Sequence, residues 1–244
     1  MRVSPPLSPS AALRMGTILS VLAASAVRSV VEVGPGMGAM GWRIARGREY
    51  HGFEPDLESY RVAEARLREI PGATLYNMAL PEEPLVTVDA LVACEVLEHI
   101  DDDIAALRSW ARWVRPGGIV LLSVPAHQHR FGPWDEAVGH YRRYGRADLA
   151  QRLRDAGLRD VEIHAYGMPI GYVLEWVRQR LLARRLGEVN GYDEGTSRSG
   201  RSFQPAGGLG WLIPVVMTPF RLLQKPFAGT DLGTGWIAWA TRPS

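Results

Sequence analysis

Cysteine is almost missing from this 244-residue chain: Cys94 stands alone, so no internal disulfide can form, and the chain suits a reducing compartment. Lysine is equally scarce, with Lys225 the only one, so nearly all positive charge is arginine. No apolar run approaches the roughly 20 residues of a membrane span. The most apolar stretch, Trp211 to Phe220, is broken by Pro214 and Pro219. Long runs of like charge are absent too. With a formal net charge of +2 and basic residues in short scattered clusters, nothing demands a nucleic-acid partner, and a small molecule is the expected one. There is no internal repeat.

What is present fits one globular domain, residues 1–244, since 46% of residues are hydrophobic and 22% charged. Arg14 precedes the apolar Met15 to Ala23 and Ala24-Ser25-Ala26, a pattern that resembles a secretory signal. Cleavage there would leave almost nothing before the first strand. Residues 1–28 are therefore expected to form a helical cover over the sheet edge.

From residue 29 onward, short apolar runs alternate with amphipathic stretches, the pattern of β-α-β units around a mostly parallel sheet. Strands are expected at Ser29 to Val33, Tyr50 to Phe53, Thr74 to Tyr76, Val88 to Ala93, Ile119 to Val124, Val161 to Ala165 and Trp236 to Thr241. Between them, Asp56 can cap a helix through Tyr60, Ala63 and Leu67. Asp101-Asp102-Asp103 opens another, whose apolar stripe runs through Ile104, Leu107 and Val114 and stops at Arg115-Pro116-Gly117-Gly118. The roughly 70 residues before the last strand exceed an ordinary connection. Residues 167–233 are read as an insertion holding a basic helix, Tyr172 to Leu186, a Gly/Ser-rich segment from Gly187 to Gly210, and an apolar helix or two.

The sharpest signal is Val30-Val31-Glu32-Val33-Gly34-Pro35-Gly36-Met37-Gly38. Glycine there lets the chain reverse tightly and lets backbone approach a ligand. Glu32 lies in an apolar strand, where an unpaired carboxylate is costly, so it needs a hydrogen-bond donor or a raised pKa. A ligand amine is the donor expected. Glu54 ends the second strand about 20 residues after the first glycine, where a carboxylate can accept both hydroxyls of a ribose. Gly36, Gly38 and Gly41 also satisfy G-x-G-x-x-G, so a nicotinamide or flavin enzyme could use the same arrangement.

These residues, with Glu95-Val96-Leu97-Glu98-His99 after the fourth strand and the later Arg-Pro-Gly-Gly, resemble the class I S-adenosylmethionine-dependent methyltransferases, bacterial small-molecule branch. The resemblance covers residue 29 to about residue 166. It implies an α/β Rossmann-like fold: a seven-stranded, mostly parallel sheet of order 3-2-1-4-5-7-6, strand seven antiparallel, with helices on both faces. It also implies the cofactor S-adenosylmethionine, leaving as S-adenosylhomocysteine. Gly34, Pro35, Gly36 and Gly38 would line its methionine and ribose, and Phe53 and Glu54 its ribose. Asn77 and Met78 would flank the adenine, and Cys94 with Glu95 would close the methionine side. Asn77 departs from the aspartate that the family often carries, although its amide oxygen can still accept from an adenine amine.

Methyl transfer is a direct displacement, so alignment supplies most of the rate and a base is optional. His99 and His140 both follow parallel strands at their carboxyl ends, where ligands bind in such sheets. His140 is the preferred base. Glu95, Glu98 and His99 also look like the E-x-x-E-H that binds magnesium in small-RNA 2′-hydroxyl methyltransferases and is implicated in metal dependence in ubiquinone-pathway O-methyltransferases, with His140 as a further ligand. Because Leu-Glu-His is widespread in methyltransferases without metal, no metal is assigned.

Trp134 and Tyr144 are expected to line an aromatic substrate pocket, and Arg142 and Arg143 to hold a substrate carboxylate or phosphate, or else to pair with acids such as Asp135 and Glu136. The basic helix is read as a lid, with a membrane-surface helix and a homodimer contact as alternatives. The expected function is cytoplasmic methyl transfer to an O or N atom of a small molecule in a bacterial biosynthetic or tailoring pathway. Competing readings are a peripheral membrane methyltransferase acting on a lipid-linked glycan, a nicotinamide oxidoreductase, and a regulatory module that binds the cofactor without catalysis.

Overall fold

The structure is a computed structural model, which describes residues 4–188 and 212–244. Most of the Gly/Ser-rich segment, and the side chains of Arg184 and Arg185, lie outside the described residues.

Helix α1 (Pro9–Ala24) starts where the Ser8 hydroxyl accepts the Ala11 N–H at 3.2 Å and Pro9 needs no partner for its nitrogen. Next come β1 (Ser29–Val33), a one-turn α2 (Gly41–Ile44), β2 (Glu49–Phe53), α3 (Leu57–Leu67) and β3 (Ala73–Tyr76). The second half holds β4 (Val88–Cys94), α4 (Asp103–Trp113), β5 (Val114–Pro125), α5 (Pro133–Ala137), α6 (Arg146–Asp155), β6 (Arg159–Tyr166), α7 (Ile170–Glu188), α8 (Leu212–Leu223) and β7 (Gly235–Thr241). Asp56 caps as expected, accepting from Ser59 N–H, and within the acidic cluster that opens α4 it is Asp102 that accepts from Ala105 N–H.

The sheet runs β3-β2-β1-β4-β5-β7-β6, parallel except for β7, which is antiparallel to both neighbours. Its order and sense are those the resemblance implied. Central strands are buried on both faces, and alternation divides their side chains between two cores. Val31, Leu91, Ala93 and Leu122 pack against α4 and α6. Val30, Ala90, Val92 and Leu121 pack against α1, α3 and α8.

Two expectations need correction. α1 covers a face of the central strands, because Leu13, Ile18 and Leu22 bury against that second core, and it does not cap an edge. The helix after Asp101 to Asp103 ends at Trp113, and Val114 begins β5 opposite Val88 on β4. Helical spacing reaches Val114, but pairing with β4 claims it. Pro116, Gly117 and Gly118 accordingly belong to the start of the strand.

Candidate active site

The glycine turn after β1 and the end of β2 are tied directly. Buried Glu54 accepts the Gly36 N–H on Oε2 at 2.8 Å and the Asp56 N–H on Oε1 at 2.9 Å. Burial raises the Glu54 pKa, and those two bonds oppose the rise. Each oxygen keeps a second lone pair, enough to accept a pair of vicinal hydroxyls. Gly38 carries the turn past α3: with φ at 74°, an added Cβ would lie 2.7 Å from Leu67 Cδ1 and 2.9 Å from Ala63 Cα. Asn77 donates through Nδ2 to the carbonyls of Glu54 and Pro55, which leaves its Oδ1 as an acceptor beside exposed Met78. Phe53 does not reach the site. Its ring is fully buried, stacked on Tyr76 and edge-on to Trp113, and only its carbonyl serves the turn, accepting from Gly34 N–H.

Glu32 is 2% exposed, and its donor is Tyr50, whose hydroxyl sits 2.6 Å from Oε2; the chain itself supplies the partner that had been assigned to a ligand. Burial dominates and pushes the Glu32 pKa from 4.5 up to about 7, against the opposing Tyr50 bond and Arg14 charge. Between those values the folded protein holds a proton that the unfolded chain has released, so stability falls as pH rises. A shift of this size corresponds to about 3 kcal/mol. Urea unfolding of Glu32→Gln at pH 4.5 and 7.5 should therefore lose a pH-dependent component of that size relative to the unsubstituted protein. Parallel pH profiles for the two proteins would refute the assignment.

At the end of β4, Glu95 has a positive φ of 56° and a carboxylate held from three elements. Its Oε1 accepts from Ser123 Oγ at 2.8 Å on β5 and from Tyr166 Oη at 3.2 Å on β6, with Arg14 Nη1 of α1 at 3.6 Å. Burial opposes ionisation, but Arg14 and the two hydroxyls outweigh it and keep the Glu95 pKa low. The neighbouring Cys94 thiol is pushed by burial up to about 12 and stays protonated, so it is no nucleophile at neutral pH.

His140 and His99 meet beyond this carboxylate, ring centroids 4.6 Å apart and edge-on. His140 Nδ1 lies 2.8 Å from Asp135 Oδ1, a pairing in which Nδ1–H donates to the carboxylate and Nε2 is turned away from it. Asp135 is itself fixed, accepting from Arg143 Nε at 2.9 Å and from Gly132 N–H at 3.0 Å. Burial acts to raise the Asp135 pKa, but these donors prevail and lower it. His99 Nδ1 faces the Gly139 carbonyl at 3.3 Å. Burial, followed by the proximity of His140, pushes the His99 pKa down to about 4, so it is neutral at physiological pH.

Glu98 completes the group. It is 0% exposed, neither oxygen has a hydrogen-bond partner, and Oε1 is 3.9 Å from His140 Nε2. Burial and the Glu95 charge drive its pKa well above the usual carboxylate range. Ligand-capable atoms of Glu98, His99 and His140 all lie within 4.8 Å of one another, and a buried carboxylate with orphaned oxygens fits a cation. Glu95 is not among them, because Arg14, Ser123 and Tyr166 hold it elsewhere.

A sequence profile described as a methyltransferase domain matches residues 11–163, more than half of the chain and all of the elements that build this site up to β6. The chain belongs to the methyltransferase-domain family. With its sheet order, that places it among the class I S-adenosylmethionine-dependent methyltransferases. This methyltransferase is 30% identical over 116 residues to a ubiquinone biosynthesis O-methyltransferase of Alkalilimnicola ehrlichii, covering 46% of this chain and 47% of that protein. It is 34% identical over 117 residues to one from Paracidovorax citrulli, covering 46% and 49%. The chain spans about half the length of the curated relatives it matches. Phosphoethanolamine N-methyltransferase 2 of Haemonchus contortus shares the fold with a TM-score of 0.59 at 16% identity, over 94% of this chain and 53% of that one.

Beside the histidines, the methyltransferase has a cleft lined by Leu13 of α1, Glu95, His140, Arg143, Tyr166 and Glu175 of α7. Several expected substrate contacts are not there. Tyr144 is fully buried and donates to Asp103, so it braces the site from behind. Arg142 pairs with Asp103 and Asp101 at the start of α4, and Arg143, though it lines the cleft, pairs with Asp135 and Glu175, Asp135 being one of the acids offered as the alternative partners of these arginines. Trp134 lies beneath Arg178, 5.2 Å from its ring centre, and does not line the cleft. Sequence reasoning missed Arg14, Tyr50, Tyr166 and Glu175 as site residues. Arg14 offered one signal, a lone charge facing inward on an apolar helix.

Proposed function

We propose that this protein transfers a methyl group from S-adenosylmethionine to a hydroxyl oxygen of a small molecule, with His140 as general base. The carrying observation is the Asp135–His140 pair at the wall of the cleft. Glu54 would accept the ribose hydroxyls, Asn77 Oδ1 the adenine amine, and the glycine turn would receive the amino-acid tail. When bound, S-adenosylmethionine supplies an electrophilic methyl carbon on a sulfonium sulfur. His140 Nε2 would take the proton from the acceptor hydroxyl as its oxygen receives the methyl group. Asp135 holds the imidazole in the tautomer that can accept and stabilises the imidazolium that forms. The O-methyltransferase names of the relatives support oxygen over nitrogen as acceptor.

Calorimetry with S-adenosylhomocysteine, followed by methyl-transfer assays on catechols, phenols, sugars and matched amines, tests this reading. Heat on binding and turnover of hydroxyl acceptors are expected. No heat with folded protein, or turnover of amines alone, would refute it.

A second reading rests on the orphaned Glu98 carboxylate: Glu98, His99 and His140 hold a divalent cation that orients the acceptor oxygen. Two imidazoles and one carboxylate suit Zn²⁺ or Mn²⁺ better than Mg²⁺, which prefers oxygen ligands. Chelator-treated protein should then melt higher with Zn²⁺ or Mn²⁺ than with Mg²⁺, and Glu98→Ala should abolish the difference. Activity indifferent to EDTA would leave His140 as base alone.

A further inference from the structure

Most of the large apolar side chains exposed among the described residues lie on α7, α8 and the turn before β7. On α8, Ile213, Met217 and Phe220 pack inward against the core under α1. Gln224, just past its end, locks the helix in place, donating to the Leu13 carbonyl and accepting the Gly167 N–H. The outer face is thereby fixed, and it is apolar as well. Val215 is 61% exposed, Val216, Leu222 and Leu223 nearly as much, and no charged residue occurs between Leu212 and Phe220. An ordinary surface helix is polar on that side.

α7 repeats the pattern with exposed Val173, Val177 and Trp176, the last at 57%. The Arg180 guanidinium covers the Trp176 ring at 4.6 Å. Tyr172 donates to the carbonyl of exposed Leu232, which joins the turn to this patch. Two exposed cations border it, Arg180 on α7 and Lys225 just past α8, while Glu175 points inward to Arg130 and Arg143. At the border, Asp231 is paired with Arg146.

We propose that α7 and α8 dock this protein on an anionic lipid bilayer. Exposed valine, leucine and tryptophan next to arginine and lysine is the composition of an interfacial surface, with apolar groups entering the headgroup region and cations meeting lipid phosphates. Among the described residues no helix is long and apolar enough to cross a membrane. Gly171, Glu175 and Arg178 of α7 line the cleft, so the docking helix also borders the cleft proposed for the acceptor.

Flotation of the full chain with phosphatidylcholine vesicles, with and without phosphatidylglycerol, tests the proposal. Binding to anionic vesicles at least about tenfold above neutral ones is expected, falling with salt. Val216→Glu/Leu223→Glu should abolish it, and so should Arg180→Glu/Lys225→Glu, which replaces only exposed polar residues and decides the matter if the first variant fails to fold. The proposal is overturned by absence of binding, by equal binding to neutral vesicles, or by binding that survives in a folded variant. A stable dimer by light scattering that stays off vesicles also overturns it, since a second copy would then cover the face.

Discussion

Replacing His140 with alanine lowers turnover of the hydroxyl acceptor about 10²–10⁴-fold, the usual range for removing a general base, while S-adenosylhomocysteine affinity stays within about twofold. The separation is expected because His140 belongs to the cleft beside α7, whereas the carboxylate proposed to grip the nucleoside, Glu54, is tied to the glycine turn. Asp135→Asn should reproduce part of the loss by allowing the other tautomer, again without weakening cofactor binding. Asp135→Ala also takes from buried Arg143 one of its two carboxylate partners, so it is expected to lower stability as well as rate. Steady-state kinetics beside calorimetry distinguish these effects. A His140→Ala enzyme with unchanged kcat removes the histidine from the chemistry.

Glu54→Ala carries the largest expected effect on binding, a loss of at least about 100-fold in affinity for S-adenosylhomocysteine. Two hydrogen bonds to a charged group, at about 1.5–3 kcal/mol each, account for that magnitude. The substitution also leaves the Gly36 and Asp56 N–H groups without their acceptor, which loosens the turn. Glu54→Gln keeps an acceptor oxygen and should fall between the two. Circular dichroism and the melting temperature separate lost binding from lost folding. Undiminished affinity in a folded Glu54→Ala protein places the nucleoside elsewhere.

Legibility in the sequence followed the range of the interactions. β1 begins and ends where its apolar run does, because a strand buried on both faces has few other solutions. The cap at Asp56 and the helix start at Asp101 to Asp103 rest on contacts over three residues, and they too could be read. Val114 could not, since a partner strand competes with the local helical period. Adjacent side chains were the harder test. Phe53 and Glu54 are neighbours, yet one enters the core and the other faces the turn. Arg142 and Arg143 likewise turn to different acids, Asp103 and Asp135.

The sequence by itself determined the strand sequence, the glycine turn, Glu54 at its proper distance and the two histidines after parallel strands. All follow from residue type and spacing within one β-α-β unit or at a strand end. Only the tertiary structure decided what each ionisable group meets. Arg14 reaches Glu95 across 81 positions of chain, and Glu175 reaches Arg143 from a different helix. Those encounters withdraw Glu95 from the cluster of Glu98, His99 and His140 and pair both Arg142 and Arg143 with acids of the chain. A charge in a low-dielectric interior takes the partner that packing brings near, and packing is a property of the whole sheet and its covering helices.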